Sequence, residues 1–456
     1  MISEVPRRLH RAAIVVEAVG SALQLVGGAV LVAIVRGGTP GTAAALAAAG
    51  IAASVVMGYA RWSKTTYWLD DVALHYRSGV FTPDERVVPR ARVQAVDTTT
   101  GPLQRIFGVV ELRVQVPGAA DEDEIVLSAV THEEAARMRR ALGQPEPAAP
   151  DERVALRVRH LLLAALTGPQ LSAAVSAVAG IFALADNVID VRDGEGLLAR
   201  LDTPREIAVA AALALAGAYV LSFLAAIVVF AGFVAERDAQ VLRIRRGLLS
   251  RRALSIPLQR VDGVVIVEGL LRAPLGLAAL RLESAAHGSE RAAGRTLLPI
   301  VRRRDAEDVI ARLIPALAIE PGAYERPPHR ALRRFVLAPS VTGAVVGVAA
   351  ALALHPAAWP AAAALAAIGA VIGLRAYRAA GIRLSGDVVV VREARLARRT
   401  LLARRHRLQR HALARTLLQQ RAGLADFSVT VGSGGRGTAR HLDSAAAEAA
   451  FGALRR

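Results

Sequence analysis

The chain has 456 residues, a formal net charge of +18, 54% hydrophobic and 21% charged residues, and a mean hydropathy of +0.38. The charge load is too high for a bare bundle of membrane helices and the hydropathy too high for an ordinary soluble protein, so apolar and charged residues must be segregated along the chain. The absence of cysteine excludes disulfides, thiolate metal sites and cysteine nucleophiles, and 4% aromatics argues against stacking platforms for single-stranded nucleic acid.

A membrane-spanning helix needs about 20 apolar residues, and six apolar runs, free of charge but for Glu17 in the first, reach or approach that length in three pairs. The first pair, 14–35 and 42–60, is joined by the turn-like Arg36–Gly41. Arg7, Arg8 and Arg11 precede it, but the run is longer than a signal-peptide core and a second run follows at once, so it reads as a retained anchor. The second pair is 163–185 and 207–234. The third is 335–354 and 359–374, broken by His355-Pro356 and Trp359-Pro360. Each pair reads as a hairpin. Cations cluster outside the hairpins, and the third hairpin loop carries no Arg, Lys, Asp or Glu. Positive charge stays on the cytoplasmic side, so the termini and the polar segments are expected there, in the inner or plasma membrane of the cell.

The three polar stretches repeat one another. Residues 88–114 lie over 256–282 without a gap: Pro89 meets Pro257, Arg92 meets Arg260, Leu103 meets Leu271 and Gly108 meets Gly276. A third copy, 403–429, matches Arg407 to Arg92, Leu418 to Leu103 and Gly423 to Gly108, with Arg404 in the place of the proline. Within each copy, alternating runs such as Val72–Tyr76, Val110–Val116 and Gln240–Arg245 predict strands. Helical patterns at Thr131–Leu142, Asp305–Ile314 and Ser444–Leu454 close the three copies. Thr131 with Glu134 fits a capping box. The expected unit is a small β-sandwich or barrel plugged by a C-terminal helix. The expected divisions are hairpins at 1–60, 151–235 and 319–376, and β-rich domains at 61–150, 236–318 and 377–456.

A two-span hairpin followed by Pro-x-x-Arg-Val-Gln and then Gly-x-Leu-x-Arg-x-x-Gly resembles the bacterial pleckstrin-homology (PH) domain of the membrane-flanked, YdbS/YdbT-like type. The three-copy layout resembles the YdbT-like branch over essentially the whole chain. Pro89, Arg92, Val93, Gln94, Gly101, Leu103, Arg105 and Gly108 carry the match. Asp262 and Ala273 depart from it in the second copy, and Arg404 and Gln420 in the third. The resemblance implies a multi-pass α-helical membrane protein with three PH-like β-domains, each capped by a helix.

Arg92, Arg260 and Arg407 are the sharpest shared polar feature. A guanidinium can hold a phosphate or carboxylate through two parallel hydrogen bonds, so they are candidate lipid or ligand contacts. The alternative is that each pairs with a carboxylate or loop carbonyl inside its own domain. The copies differ in charge: 61–160 carry 14 cations against 15 anions (−1), 236–334 carry 19 against 11 (+8), and 375–456 carry 17 against 5 (+12). Arg245, Arg246, Arg251, Arg252, Arg398 and Arg399 are the further candidates for an anionic membrane surface, beside Arg302-Arg303-Arg304 and Arg404-Arg405. Glu17 and Gln24 share a face of the first span. Glu17 is expected at the interface or paired with Arg11 or Arg61, unless it lines a transport pathway.

Gly432–Gly437 looks like a phosphate cradle, but no Lys-Ser/Thr follows, and it reads as a hairpin loop. No Walker loop, His-Glu-x-x-His helix or metal-ligand spacing is present, so no catalytic residue, metal or cofactor is expected, and no DNA- or RNA-binding motif accompanies the charge. The expected function is non-enzymatic. The PH-like domains bind lipid head groups or protein partners at the membrane surface, in envelope maintenance or stress tolerance. Expected partners are the bilayer, anionic phospholipids and a smaller membrane protein with one PH-like domain. The alternative is a transporter or exporter component with the domains as gates.

Overall fold

The computed structural model describes residues 5–35, 40–93, 95–115, 125–143, 150–168, 204–284, 296–354 and 359–455. In chain order the first copy contains β1 (Arg7–Arg8), helices α1 (Ala12–Val35) and α2 (Pro40–Lys64), and strands β2 (Thr66–Leu69), β3 (Ala73–Ser78) and β4 (Asp84–Pro89). A 3-10 turn (Arg90–Arg92) then leads to β5 (Ala95–Thr100), α3 (Pro102–Ile106), β6 (Val109–Gln115), β7 (Ile125–Thr131) and α4 (His132–Ala141).

The second copy repeats this order with turns in place of the short helix α3: β8 (Glu152–Ala155), α5 (Val158–Thr167), α6 (Pro204–Phe230), β9 (Val234–Arg237), β10 (Val241–Arg246), β11 (Arg251–Pro257), the turn Leu258–Arg260, β12 (Val261–Glu268), β13 (Leu277–Ser284), β14 (Thr296–Arg302) and α7 (Ala306–Leu313). The third has α8 (Leu332–Leu354), α9 (Trp359–Ala379), β15 (Gly381–Ser385), β16 (Val388–Ala394), β17 (Arg398–Arg404), the turn Arg405–Arg407, β18 (Leu408–Ala414), α10 (Leu417–Arg421), β19 (Leu424–Val431), β20 (Arg436–Asp443) and α11 (Ser444–Arg455). Gly108, Gly276 and Gly423 sit at the same place in the three copies with φ of +64°, +63° and +61°. That left-handed backbone, which side chains resist, explains the shared glycine.

Among the described residues, four helical stretches are long and apolar enough to cross a membrane: Ala44–Lys64, Ala212–Phe230, His329–Leu352 and Trp359–Ala379. Six were expected. Ala12–Gly28 is a shorter apolar helical stretch, as is Val158–Thr167, and the remainder of the expected third span, 169–185, lies outside the described residues. The sixth, which looked short in sequence, is a helix of 21 residues. It packs on α8 through a glycine seam. A Cβ added at Gly343, Gly347, Gly369 or Gly373 would stand 2.2, 2.3, 2.2 or 2.2 Å from Leu365 O, Ala362 Cα, Pro339 O and Phe335 O respectively. Backbones that approach this closely gain dispersion over their length without any side chain between them.

The strand on one side of a helix pair meets the strand on the other. Arg7 and Arg8 of β1 pair with Tyr67 and Thr66 of β2. The Leu156 amide donates to Phe233 O at 3.0 Å, and Glu325 and Ile382 exchange two bonds of 2.8 and 3.1 Å. Sheet and helix are continuous in packing as well. Leu9, Ala12 and Ala13 join Leu74, Leu112, Ile125 and Leu127 in one buried core. Trp62 closes its edge, donating from Nε1 to Leu9 O at 2.8 Å. Each fully buried leucine or isoleucine of this kind contributes about 1.5–3 kcal/mol.

The sheets differ from the expected self-contained sandwiches. β4 is the last strand of a sheet ordered β1-β2-β3-β4, and β18 the first of a sheet ordered β18-β19-β20. Between these, strands from neighbouring copies join. Arg251, Arg252 and Ala253 of β11 lie opposite Thr100, Thr99 and Thr98 of β5. β12 pairs with β17 from Gly263↔Ala403 to Glu268↔Arg398, inside a sheet ordered β14-β13-β12-β17-β16-β15. Periodicity reveals a strand but not which edge it meets, so the sequence offered no sign of this. The capping box is half formed: Glu134 N donates to Thr131 Oγ1 at 3.3 Å, while the Glu134 carboxylate turns to Arg7 at 3.0 Å and Arg137 at 3.2 Å.

By internal contacts the chain divides into two compact units, one of Met1–Ala149, Val154–Val234 and Arg243–Ser255, the other of Pro150–Arg153, Ala235–Leu242 and Ile256–Arg456. Gly347→Leu should separate α8 from α9 and cost about 1–3 kcal/mol or more through overpacking. The loss is expected as a lowered thermal midpoint in detergent. The control Val346→Leu, at an exposed neighbouring position of the same helix, should leave that midpoint in place.

Candidate membrane-surface site

Each shared arginine ends a 3-10 turn that carries the chain from one sheet to the next. Arg92 is exposed. Arg260 is half-buried, and burial lowers its guanidinium pKa. Arg407 donates through Nη2 to Gln259 O. Arg404, standing where the other copies have proline, donates to Gln259 O at 3.0 Å and also to Val261 O. The third copy's cations therefore cap carbonyls of the second copy's turn, a role beyond pairing within a single domain.

Asp262, which replaces the motif glutamine, belongs to the same junction. Burial pushes its carboxyl up, opposed by Arg407, the Ser433 backbone amide and Arg404. The glycine-rich loop closes over it. A Cβ on Gly432 would come 3.1 Å from Asp262 Oδ2, and one on Gly435 would come 2.7 Å from the Glu283 carboxyl. Ser433 Oγ donates to Glu283 Oε2 at 2.8 Å. The apparent phosphate cradle is a hairpin loop between β19 and β20 whose glycines make room for carboxylates.

The remaining arginines divide between inward and outward. Arg246 is buried, its guanidinium 6.0 Å from the Phe230 ring. Arg398 pairs at 2.9 Å with Glu268, which also meets Arg303 at 3.1 Å and is only 3% exposed. Arg245, Arg251, Arg252 and Arg399 are exposed.

Exposed apolar residues recur beside the helix ends. The β10–β11 tip turns on Gly247, whose φ of +104° and contact with Ser250 O leave no room for a side chain. Its amide donates to Ala231 O at 2.8 Å, and Leu248 N donates to Val228 O at 2.9 Å. Leu248 and Leu249, each more than half exposed, are thereby held level with the last turn of α6. Arg105 Nη2 reaches Leu248 O at 3.2 Å. Phe81 and Leu396 are the exposed tip residues of the other copies. A second set follows the shared turn: Ile106, Leu270 and Leu271, and Leu417 and Leu418. Arg334, in the first turn of α8, donates to Leu418 O, which places this pair too at the end of an apolar helix.

Between Leu396 and the end of α9 lies an open pocket of about 180 Å³ lined by Arg375, Arg378, Arg395, Arg398 and Ala273 among others, with no acidic side chain in its wall. Arg375, Arg378 and Arg395 escaped the sequence reading, although Arg375 and Arg378 stand three apart in the last turns of an apolar helix, on adjacent faces. The volume and charge suit a phosphate group.

Glu17 lies in the second turn of α1, where the helix packs on the sheet, and accepts from Ser128 Oγ at 2.7 Å, rather than pairing with Arg11 or Arg61. Gln24, seven residues on, is exposed. Among the described residues no group of three or more His, Asp or Glu is placed to hold a metal ion.

Asp262→Asn tests the junction. A carboxyl whose pKa is raised on folding, from about 3.9 unfolded, stabilises most when protonated, and its contribution is lost as pH rises through the folded value. The asparagine variant should have a higher thermal midpoint than the parent at about pH 7.5, and the gap should close towards about pH 4. For Glu17, substitution by glutamine keeps an acceptor for Ser128 and should leave the midpoint nearly unchanged, whereas alanine should cost about 1 kcal/mol of stability and lower the midpoint accordingly.

The sequence pattern of the bacterial PH domain matches the chain three times, over residues 13–146, 171–317 and 335–456. Over 413 residues the chain is 25% identical to the UPF0699 transmembrane protein YdbT of Bacillus subtilis (strain 168), a match that covers 84% of this chain and 82% of that protein.

Proposed function

We propose, because the chain belongs to the bacterial PH domain family as a membrane protein with repeated PH-like domains, that it is a non-enzymatic docking protein of the cell membrane. Three helical hairpins anchor it, its PH-like domains lie on the cytoplasmic face, and they hold anionic phospholipid head groups and protein partners there in envelope maintenance. The observation that carries this reading is the Leu248–Leu249 tip, hydrogen-bonded to the last turn of an apolar helix. An apolar side chain fixed at that level enters the bilayer interface, and arginines beside it meet the phosphates.

The pocket of Arg375, Arg378 and Arg395 is the proposed head-group site. The charge split extends the reading: the second and third copies, at +8 and +12, serve the membrane surface, and the first, at −1, serves protein contacts. A transport role finds less support, since Glu17 is engaged with Ser128 where the helix leaves the sheet.

The test uses the full chain in nanodiscs. Each arginine near an anionic surface is worth about 1 kcal/mol, so Arg375→Gln, Arg378→Gln and Arg395→Gln together should weaken the preference for spin-labelled phosphatidylglycerol over phosphatidylcholine at least tenfold. The same substitutions should remove most of its dependence on salt. An unchanged preference in a variant that keeps the parent's thermal midpoint would sink the head-group assignment.

A further inference from the structure

Two strand edges in this chain differ from their counterparts. β7, β14 and β20 occupy the same place in the three copies, and each ends its sheet. β4, β11 and β17 also correspond, as do β5, β12 and β18, but these edges are treated unequally. β11 is paired with β5, and β17 with β12. Among the described residues, nothing pairs with the outer edge of β4 or of β18.

The two existing joints share one register. The repeat offsets are 257 − 89 = 168 for the second copy and 407 − 92 = 315 for the third. In the second joint Val267 faces Arg399, positions that correspond to 99 and 84 of the first copy. In the first joint Thr99 faces Arg252, again 99 against 84. A joint made twice in the same register is a property of the module, and a bare edge of that module has a defined complement.

We propose that β18 of one chain pairs with β4 of a second copy of this chain, in the register of the internal joints, to build head-to-tail assemblies in the membrane plane. Ala414 then faces Asp84, Leu413 faces Glu85 and Arg415 faces Pro83. The charges suit the contact: residues 408–416 hold Arg410 and Arg415 and no acid, while β4 begins Asp84-Glu85. In the internal joint the place of Arg415 is held by Glu268, which pairs with Arg398 at 2.9 Å, whereas here the cation faces Pro83 and has Asp84 beside it. Pro89 is no obstacle, because both internal joints stop short of its position: β11 pairs over Arg251–Ala253 and leaves Pro257 outside, and β17 pairs up to Ala403. Such a contact uses two different surfaces, so it propagates into rings or open rows. It is independent of any head-group binding.

The chain has no cysteine, which makes the test direct. Two differently tagged full-length chains, one Asp84→Cys and one Ala414→Cys, are co-expressed and oxidised in native membranes. A disulfide-linked mixed dimer is expected, with little adduct from either variant alone. Pairing Asp84→Cys with Arg410→Cys, four residues or about 13 Å out of register, should lower the yield at least fivefold. If either variant fails to insert, Glu85→Cys with Leu413→Cys takes its place. Equal yields in and out of register, no mixed adduct from inserted chains, or capture only of other proteins would each overturn the proposal.

Discussion

Backbone pairing across the base of each helix pair is the constraint on which the rest depends. A hairpin of apolar helices has no intrinsic reason to keep its two ends near a particular sheet. Here the strand that precedes the helices bonds to the strand that follows them, at Arg7–Tyr67 in the first copy and Glu325–Ile382 in the third. The exit and re-entry of the chain are thus fixed to one sheet edge. Everything that bears on the membrane surface follows from that: the tip at Gly247 can reach the carbonyls of α6, Arg334 can reach the turn at Leu418, and the arginines at the end of α9 can share a pocket with Arg395.

Much of this was legible in the residues, because it rests on local rules. Helix lengths follow from long apolar runs, strands from alternation, and the domain-closing helices from their helical pattern; the observed helix His132–Ala141 falls within the expected 131–142. The three-fold repeat was visible through positions whose backbone is constrained, above all Gly108, Gly276 and Gly423. The joints between copies were not legible. Strand alternation marks faces and not edges, and Thr98–Thr100 read the same whether or not Arg251–Ala253 lie beside them. The basic pocket was missed for a related reason. Its arginines come from α9 and a hairpin tip some twenty residues apart in sequence, and only the fold gathers them.

The repeated arginines show how one residue type is put to different uses once copies diverge. Arg92 faces solvent, while Arg407 caps a carbonyl of the preceding copy's turn. The change is accompanied by two others nearby: Arg404 takes the proline's place and donates to the same turn, and Asp262 takes the place of the glutamine beneath them. A buried carboxylate is costly without cations and hydrogen-bond donors around it, and the glycine-rich loop brings the Ser433 amide against it without steric conflict. These departures from the motif form one adaptation of the junction between the second and third copies.

The joint between copies also changes what counts as a part of this protein. The sequence repeats in three, but contacts divide the chain in two, and the division runs through the second copy: Arg243–Ser255 belongs with the first unit and Ile256 onward with the other. The inherited module and the packed module are out of phase. An excised second copy would expose both the β11 edge and the β12 edge that its neighbours cover, so it would lack part of the surroundings in which its own core closes. The repeat in the sequence and the packing of the chain thus draw their boundaries at different residues.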